Sequence, residues 1–188
     1  MKLTRYEDQQ LWISQLKNTP KPFIIEIYKN ASRFTKHLSQ TIISDNHPMC
    51  AIIRNPYDRF WSACKEIFSE PNKDGTPRGE KDPIKLIEIG LLELENPNND
   101  FHFSTQTWFR SLYPWHLDHV FVFENLQIKE KCEEWKIEFK SNIEWNTHIN
   151  ISDHTNDAIA LEHIKNYPEI KEYYHEDFKW YNSIINRI

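Results

Sequence analysis

Glycine is scarce in this chain, with three in 188 residues. Collagen-like repeats and Gly-rich flexible linkers need far more, so those classes are excluded. Cysteine is scarce as well. Cys50, Cys64 and Cys132 are odd in number and lack C-x-x-C spacing, which argues against a disulfide framework and a cysteine zinc site. Each stands in an apolar run and is expected to pack as a small buried hydrophobe. No stretch approaches the ~20 apolar residues of a membrane span. Residues 1–8 hold no apolar run of the kind a secretory leader carries. The expectation is a cytoplasmic protein with no membrane partner. Positive charge is not in excess either: 23 Lys and Arg against 28 Asp and Glu give −5. Bulk electrostatic binding of nucleic acid is thereby disfavoured, although one cationic cleft for a small anion is compatible with that balance.

Aromatic residues are abundant: 7 Trp, 8 Tyr and 11 Phe. Such a chain is expected to fold as one packed domain over residues 1–188. Phe23-Ile24-Ile25-Glu26-Ile27 and Met49-Cys50-Ala51-Ile52-Ile53 read as buried strands, and Val120-Phe121-Val122-Phe123 as a third. Helical stripes lie between and after them. Phe34, Leu38 and Ile42 form one; Tyr57, Phe60, Trp61, Cys64, Ile67 and Phe68 another; Ile84, Ile87, Leu91 and Leu94 a third. A short helix is expected from Ser104. Ile128, Cys132, Trp135 and Phe139 mark the next, His148-Ile149-Asn150-Ile151 is extended, and one closing helix carries Ile170, Tyr174, Phe178, Tyr181 and Ile185. Residues 69–83, with two glycines and three prolines, form the longest loop. Strands alternating with helices predict an α/β fold, a mainly parallel sheet flanked by helices on both faces.

Two segments suggest chemistry. Tyr28-Lys29-Asn30-Ala31-Ser32 joins the first strand to the first helix. A strand, a small-residue loop with a lysine and a helix start place backbone N–H groups and an ammonium around one point, which suits phosphate or sulfate. It is not G-x-x-x-x-G-K-[ST], and a plain turn with an exposed lysine has the same spelling. Arg54 ends the second strand, and Ser62 lies on the following helix away from its apolar stripe. Both are then available to a second anion at the carboxyl edge of the sheet, where α/β proteins bind ligands.

These residues resemble a family. Ala51-Ile52-Ile53-Arg54-Asn55-Pro56-Tyr57-Asp58-Arg59-Phe60-Trp61-Ser62-Ala63 is similar to the R-[DN]-P-x-x-R-x-x-S signature of the carbohydrate sulfotransferases of the sulfotransferase family 2 type. The Lys29 segment is similar to their 5′-phosphosulfate loop, His102-Phe103-Ser104-Thr105-Gln106 to their H-[WF]-x-P-Q, and residues 118–126 to their strand ending in E-x-L. His148-Ile149-Asn150-Ile151-Ser152 and Tyr173-Tyr174-His175-Glu176-Asp177-Phe178 complete the series in family order. Arg33-Phe34 stands where the family has a Thr/Ser pair, and Asp153 where it has a basic residue.

The resemblance implies a P-loop-kinase-like sulfotransferase fold and 3′-phosphoadenosine 5′-phosphosulfate (PAPS) as sulfuryl donor. It implies Lys29, Asn30, Ala31, Ser32 and Arg33 at the 5′-phosphosulfate, Arg54 and Ser62 at the 3′-phosphate, and Asn150 and Ser152 beside the nucleotide. The acceptor would be a small molecule or a glycan. Sulfuryl transfer needs charge stabilisation at the bridging oxygen, which Lys29 would supply. It also needs a base for the acceptor: His102 fits the H-[WF]-x-P-Q position, with His37, His47, Glu26 and Glu124 as alternatives. No H-E-x-x-H pairing is present, and no metal is expected. Trp108, Phe109, Tyr113 and Trp115 form either a stacking wall for the acceptor or plain core. Two other readings compete: a non-catalytic adenosine-nucleotide-binding module, which Arg33-Phe34 favours, and a small kinase-like phosphotransferase, which would need Mg²⁺ carboxylates and a hydroxyl after the lysine.

Overall fold

The computed structural model describes residues 21–27, 32–43, 47–69, 79–96, 100–140 and 157–187, together with residues 14, 143 and 145. Its centre is a short parallel ladder. Strand β1 (Cys50–Ile53) pairs with β2 (His119–Val122), Cys50 opposite His119 and Ile53 opposite Val122. All four residues of β1 are buried, as expected of a strand covered on both faces. The Phe23–Ile27 run flanks β1 on its other side. Ile25 N–H donates to Cys50 O at 2.9 Å, and Cys50 N–H donates to Phe23 O at 2.6 Å. The fold is thus mixed α/β around a two-stranded parallel ladder, and the expected Phe23–Ile27 strand is reduced to one bridge, Ile24 to Cys50.

Side chains alternate across the ladder and feed two cores. Cys50 and Ile52 pack with Leu38 and Ile42, on and just beyond α1 (Ser32–Thr41), and with Ile128 and Cys132 of α5 (Ile128–Glu134). Met49 and Ala51 pack on the opposite face with Phe109 of α4 (Gln106–Ser111) and Tyr113. A third cluster joins α2 (Pro56–Cys64), α3 (Pro83–Glu95), α6 (Asp157–Ile164) and α7 (Pro168–Tyr173). The last helix is α8 (His175–Ile185). All three cysteines are buried free thiols.

Local chemistry explains the boundaries. The Asn55 side chain accepts from Tyr57 N–H at 3.0 Å and Pro56 opens α2, so the cap and the fixed φ start the helix together. Asp82 and Pro83 do the same for α3, with Asp82 Oδ1 accepting from Ile84 N–H at 2.9 Å. Thr105 caps α4, which therefore begins at Gln106 rather than at Ser104. The helix from Ile128 stops at Glu134, because Lys136 turns to φ 54° and Phe139 leaves to bridge Ile42. The expected closing helix is two helices broken at Tyr174, whose hydroxyl donates to Phe103 O at 2.7 Å. A π-helical turn, Lys65–Ser69, continues α2. Among the described residues no helix is long and apolar enough to cross a membrane.

Candidate functional site at the carboxyl edge

Both strands of the ladder end at the same edge, and a polar network gathers there. Arg54 is the first residue after β1. Its backbone N–H donates to Gln106 Oε1 and its carbonyl accepts from Gln106 Nε2, both at 2.9 Å. Gln106, fully buried at the start of α4, thus pairs with the main chain of Arg54 as a strand residue would. Asp177 of α8 holds Gln106 in turn. It accepts from the backbone N–H of Gln106 at 2.7 Å, from that of Thr107 at 2.9 Å and from the Thr107 hydroxyl at 2.9 Å. A buried carboxylate at the first turn of a helix meets the free N–H groups that need an acceptor.

The Arg54 guanidinium lies over the Phe123 ring, Cζ 4.5 Å from its centroid. Burial pushes its pKa below the ordinary arginine value, while Asp58 and Glu124 favour its charge. Asp58 is pushed up, again chiefly by burial, although Arg54 pulls the other way. Glu124 ties the two strand exits together. Its Oε1 accepts from Asn55 N–H at 3.0 Å and its Oε2 from the Tyr181 hydroxyl at 3.4 Å. Burial, then Glu124 and Asp58, raise the Tyr181 phenol to about 12, so it serves as a donor.

Along α2, Asp58 and Ser62 stand four residues apart on one face, and Lys65 continues that row in the π-helical turn. Ser62 is half-buried. The Lys65 ammonium meets Asp157 Oδ1 at 2.7 Å, and the Trp61 indole N–H donates to the same oxygen at 2.5 Å. Asp157 is the first residue of α6, a position where a carboxylate meets the positive end of the helix.

His102 lies one turn before α4. Its Nδ1 meets Asp100 Oδ1 in a short contact, and Nε2 faces Glu66 Oε1 at 3.3 Å. Asp100 also accepts from the His102 backbone N–H at 3.0 Å. A carboxylate on one imidazole nitrogen fixes the tautomer and leaves the other for proton transfer. Here that other nitrogen points at Glu66, which ties the π-helical turn to the 100–104 segment.

The structure therefore brings Arg54 to the carboxyl edge with Ser62 on the adjoining helix face, and gives His102 a defined carboxylate partner. Ser32 and Arg33 open α1. Lys29, Asn30, Ala31, Asn150 and Ser152 lie outside the described residues. Of the aromatic group, Phe109 and Tyr113 are core residues, and Trp108 and Trp115 pack against the same cluster. Gln106 and Asp177 belong to the 102–106 and 173–178 segments of the resemblance and Tyr181 to a helical stripe, whereas no motif or stripe in the sequence marks Lys65 or Asp157. Among the described residues no cluster of three or more His, Cys, Asp or Glu is arranged to hold a metal ion.

No protein-family model, no curated protein and no solved structure matches this chain.

Proposed function

We propose that this chain is a PAPS-dependent sulfotransferase with a P-loop-kinase-like fold, working in the cytoplasm and transferring a sulfuryl group to a hydroxyl or amine of a small molecule or glycan. One observation carries the reading. Four segments that resemble family motifs, distant in sequence, meet in one network: Arg54 with Gln106, Gln106 with Asp177, and Asn55 with Glu124. A cation at the exit of a parallel strand, held by its main chain and partly desolvated, is a fitting seat for a phosphate. Three carboxylates, Asp58, Glu124 and Asp157, act on Arg54 and restrict how much anionic charge the seat will take.

In this reading Arg54 and Ser62 grip the 3′-phosphate, with Asn150 and Ser152 beside the nucleotide. The loop from Asn30 to Arg33 donates N–H groups to the 5′-phosphosulfate. PAPS supplies the sulfuryl group itself, so the protein positions and neutralises. Lys29 meets the charge that grows on the bridging oxygen as the S–O bond to it breaks. His102, oriented by Asp100 at Nδ1, takes the acceptor proton at Nε2 as the new bond to sulfur forms, the acceptor displacing Glu66 from that nitrogen.

A second reading has one observation in its favour. Phe34 occupies a position where the family has a hydroxyl, and its ring packs into the core beside Trp145, centroids 6.5 Å apart. A nucleotide-binding module without turnover would tolerate that exchange. Release of labelled sulfate from PAPS decides between the two. Slow hydrolysis by the wild-type chain, reduced about 10²–10³-fold in Lys29→Ala, is the expected result. Equal rates in both proteins, or none in either while nucleotide still binds, would leave only the binding module.

A further inference from the structure

We propose that Lys65 is a third ligand of the 3′-phosphate at the Arg54–Ser62 seat, and that Asp157 holds its ammonium in reserve until the nucleotide arrives. The inference rests on the PAPS reading and extends it to two residues that no motif marks. Three features of the geometry support it.

The first is position. Lys65 follows Ser62 by three residues on the row that Asp58 begins, one turn further from the strand end that carries Arg54. The second is charge. A phosphate monoester carries about −1.5 to −2 at neutral pH. The Arg54 guanidinium already answers Asp58 and Glu124, so one arginine leaves the dianion under-neutralised. The third is the form of the Lys65–Asp157 pair. The Lys65 ammonium meets Asp157 Oδ1, and the Trp61 indole N–H donates to that same oxygen. The carboxylate would therefore keep a donor when the ammonium leaves. The two side chains are 14% and 21% exposed, covered enough to escape full salt screening yet open to a ligand.

The lysine stem suits the exchange, being a flexible four-carbon arm with a point charge at its end. Before binding, the ammonium rests on Asp157 Oδ1. On binding, the phosphate offers more charge than one carboxylate, and Lys65 crosses over. No covalent bond changes.

The test is calorimetric titration of the full chain with adenosine 3′,5′-bisphosphate and, in parallel, with AMP. Lys65→Ala should weaken the bisphosphate about 10- to 100-fold, as expected of a charge-assisted bond, while AMP affinity stays within about twofold. Lys65→Arg should restore part of the loss. Asp157→Asn should tighten the bisphosphate, because a competitor for Lys65 is removed; a merely structural ion pair predicts loss in both variants. Circular dichroism checks that each variant folds. Should Asp157→Asn unfold, Lys65→Gln against Lys65→Arg carries the test, with the larger loss expected in Gln. Equal weakening of both ligands, or no change in either, overturns the role of Lys65 and leaves the sulfotransferase reading intact. If wild type binds the bisphosphate no better than AMP, that reading falls and this inference with it.

Discussion

The side-chain amide of Gln106 closes two hydrogen bonds on the main chain of Arg54, across 52 residues of sequence. The relationship separates two properties of Arg54. Its backbone is fixed by Gln106, while its guanidinium lies over Phe123 at the carboxyl edge. Gln106→Ala should therefore destabilise strongly. It removes both bonds from the part-buried main chain of Arg54, at about 1–3 kcal/mol each. Urea unfolding should show a loss of about 2–4 kcal/mol, and a change within about 0.5 kcal/mol would mean that water replaces the amide freely.

Asp177 accepts three bonds from α4 while fully buried. Asp177→Asn turns one acceptor oxygen into a donor facing an N–H or a hydroxyl. The expected cost is about 1.5–3 kcal/mol or more. Thr107→Val removes the hydroxyl from the same carboxylate, so the two changes should be non-additive in a double-mutant cycle. Simple additivity would place Thr107 outside the network.

Gly90 lies in α3 where that helix meets α2. A Cβ there would overlap Cys64 Sγ and stand 2.9 Å from Phe60 Cζ. Helix propensity favours alanine over glycine by about 1 kcal/mol, but overpacking a core costs about 1–3 kcal/mol. Both neighbours are fully buried, so overpacking wins. Gly90→Ala should lower the melting temperature, and Cys64→Ala in the same chain should recover part of it. A stabilised Gly90→Ala would show that the helices separate at little cost.

Acid should destabilise the fold in two stages. Burial holds the His119 pKa below its ordinary 6.5, with Lys131 acting in the same direction and Glu134 opposing. The folded state thus binds this proton less readily than the unfolded chain, and stability falls as pH drops below about 6.5 and through the lower folded value. Asp118 is depressed by the bond from Met49 N–H, so its contribution is present above the usual carboxylate range and lost as pH falls through its folded value. His119 stacks edge-on against Phe121 and Trp135, contacts that phenylalanine preserves. His119→Phe should flatten the pH dependence of the urea midpoint between pH 7 and about pH 5. Parallel profiles for variant and wild type would remove His119 from the account.

Strand β1 was legible because residues 49–53 are an unbroken apolar stretch, which a strand buried on both faces needs. The Phe23–Ile27 run, interrupted by Glu26, was expected as a strand too but joins β1 only through the Ile24–Cys50 bridge. The start of α2 was legible from Asn55-Pro56. The π-helical turn at Lys65–Ser69 and the helix Asp157–Ile164 were not, since neither carries a distinct stripe or cap in the sequence. The break at Tyr174 was hidden for a different reason: helical periodicity runs straight through it, and the Tyr174 hydroxyl makes its bond to Phe103 there only through packing. The site divides the same way. Arg54 and Ser62 could be named from local spelling. The pairing of Gln106 with a main chain 52 residues away, and of Lys65 with Asp157, arises only from packing.

The central claim is that Arg54 serves a 3′-phosphate, and one calorimetric comparison tests it most directly. Arg54→Ala should fold, because both Gln106 bonds go to the backbone that alanine keeps. Wild type should bind adenosine 3′,5′-bisphosphate more tightly than AMP. In Arg54→Ala that preference should collapse through a loss of about 2–4 kcal/mol confined to the bisphosphate. Equal affinity of the wild-type chain for the two nucleotides, or a preference that survives in Arg54→Ala, would contradict the account.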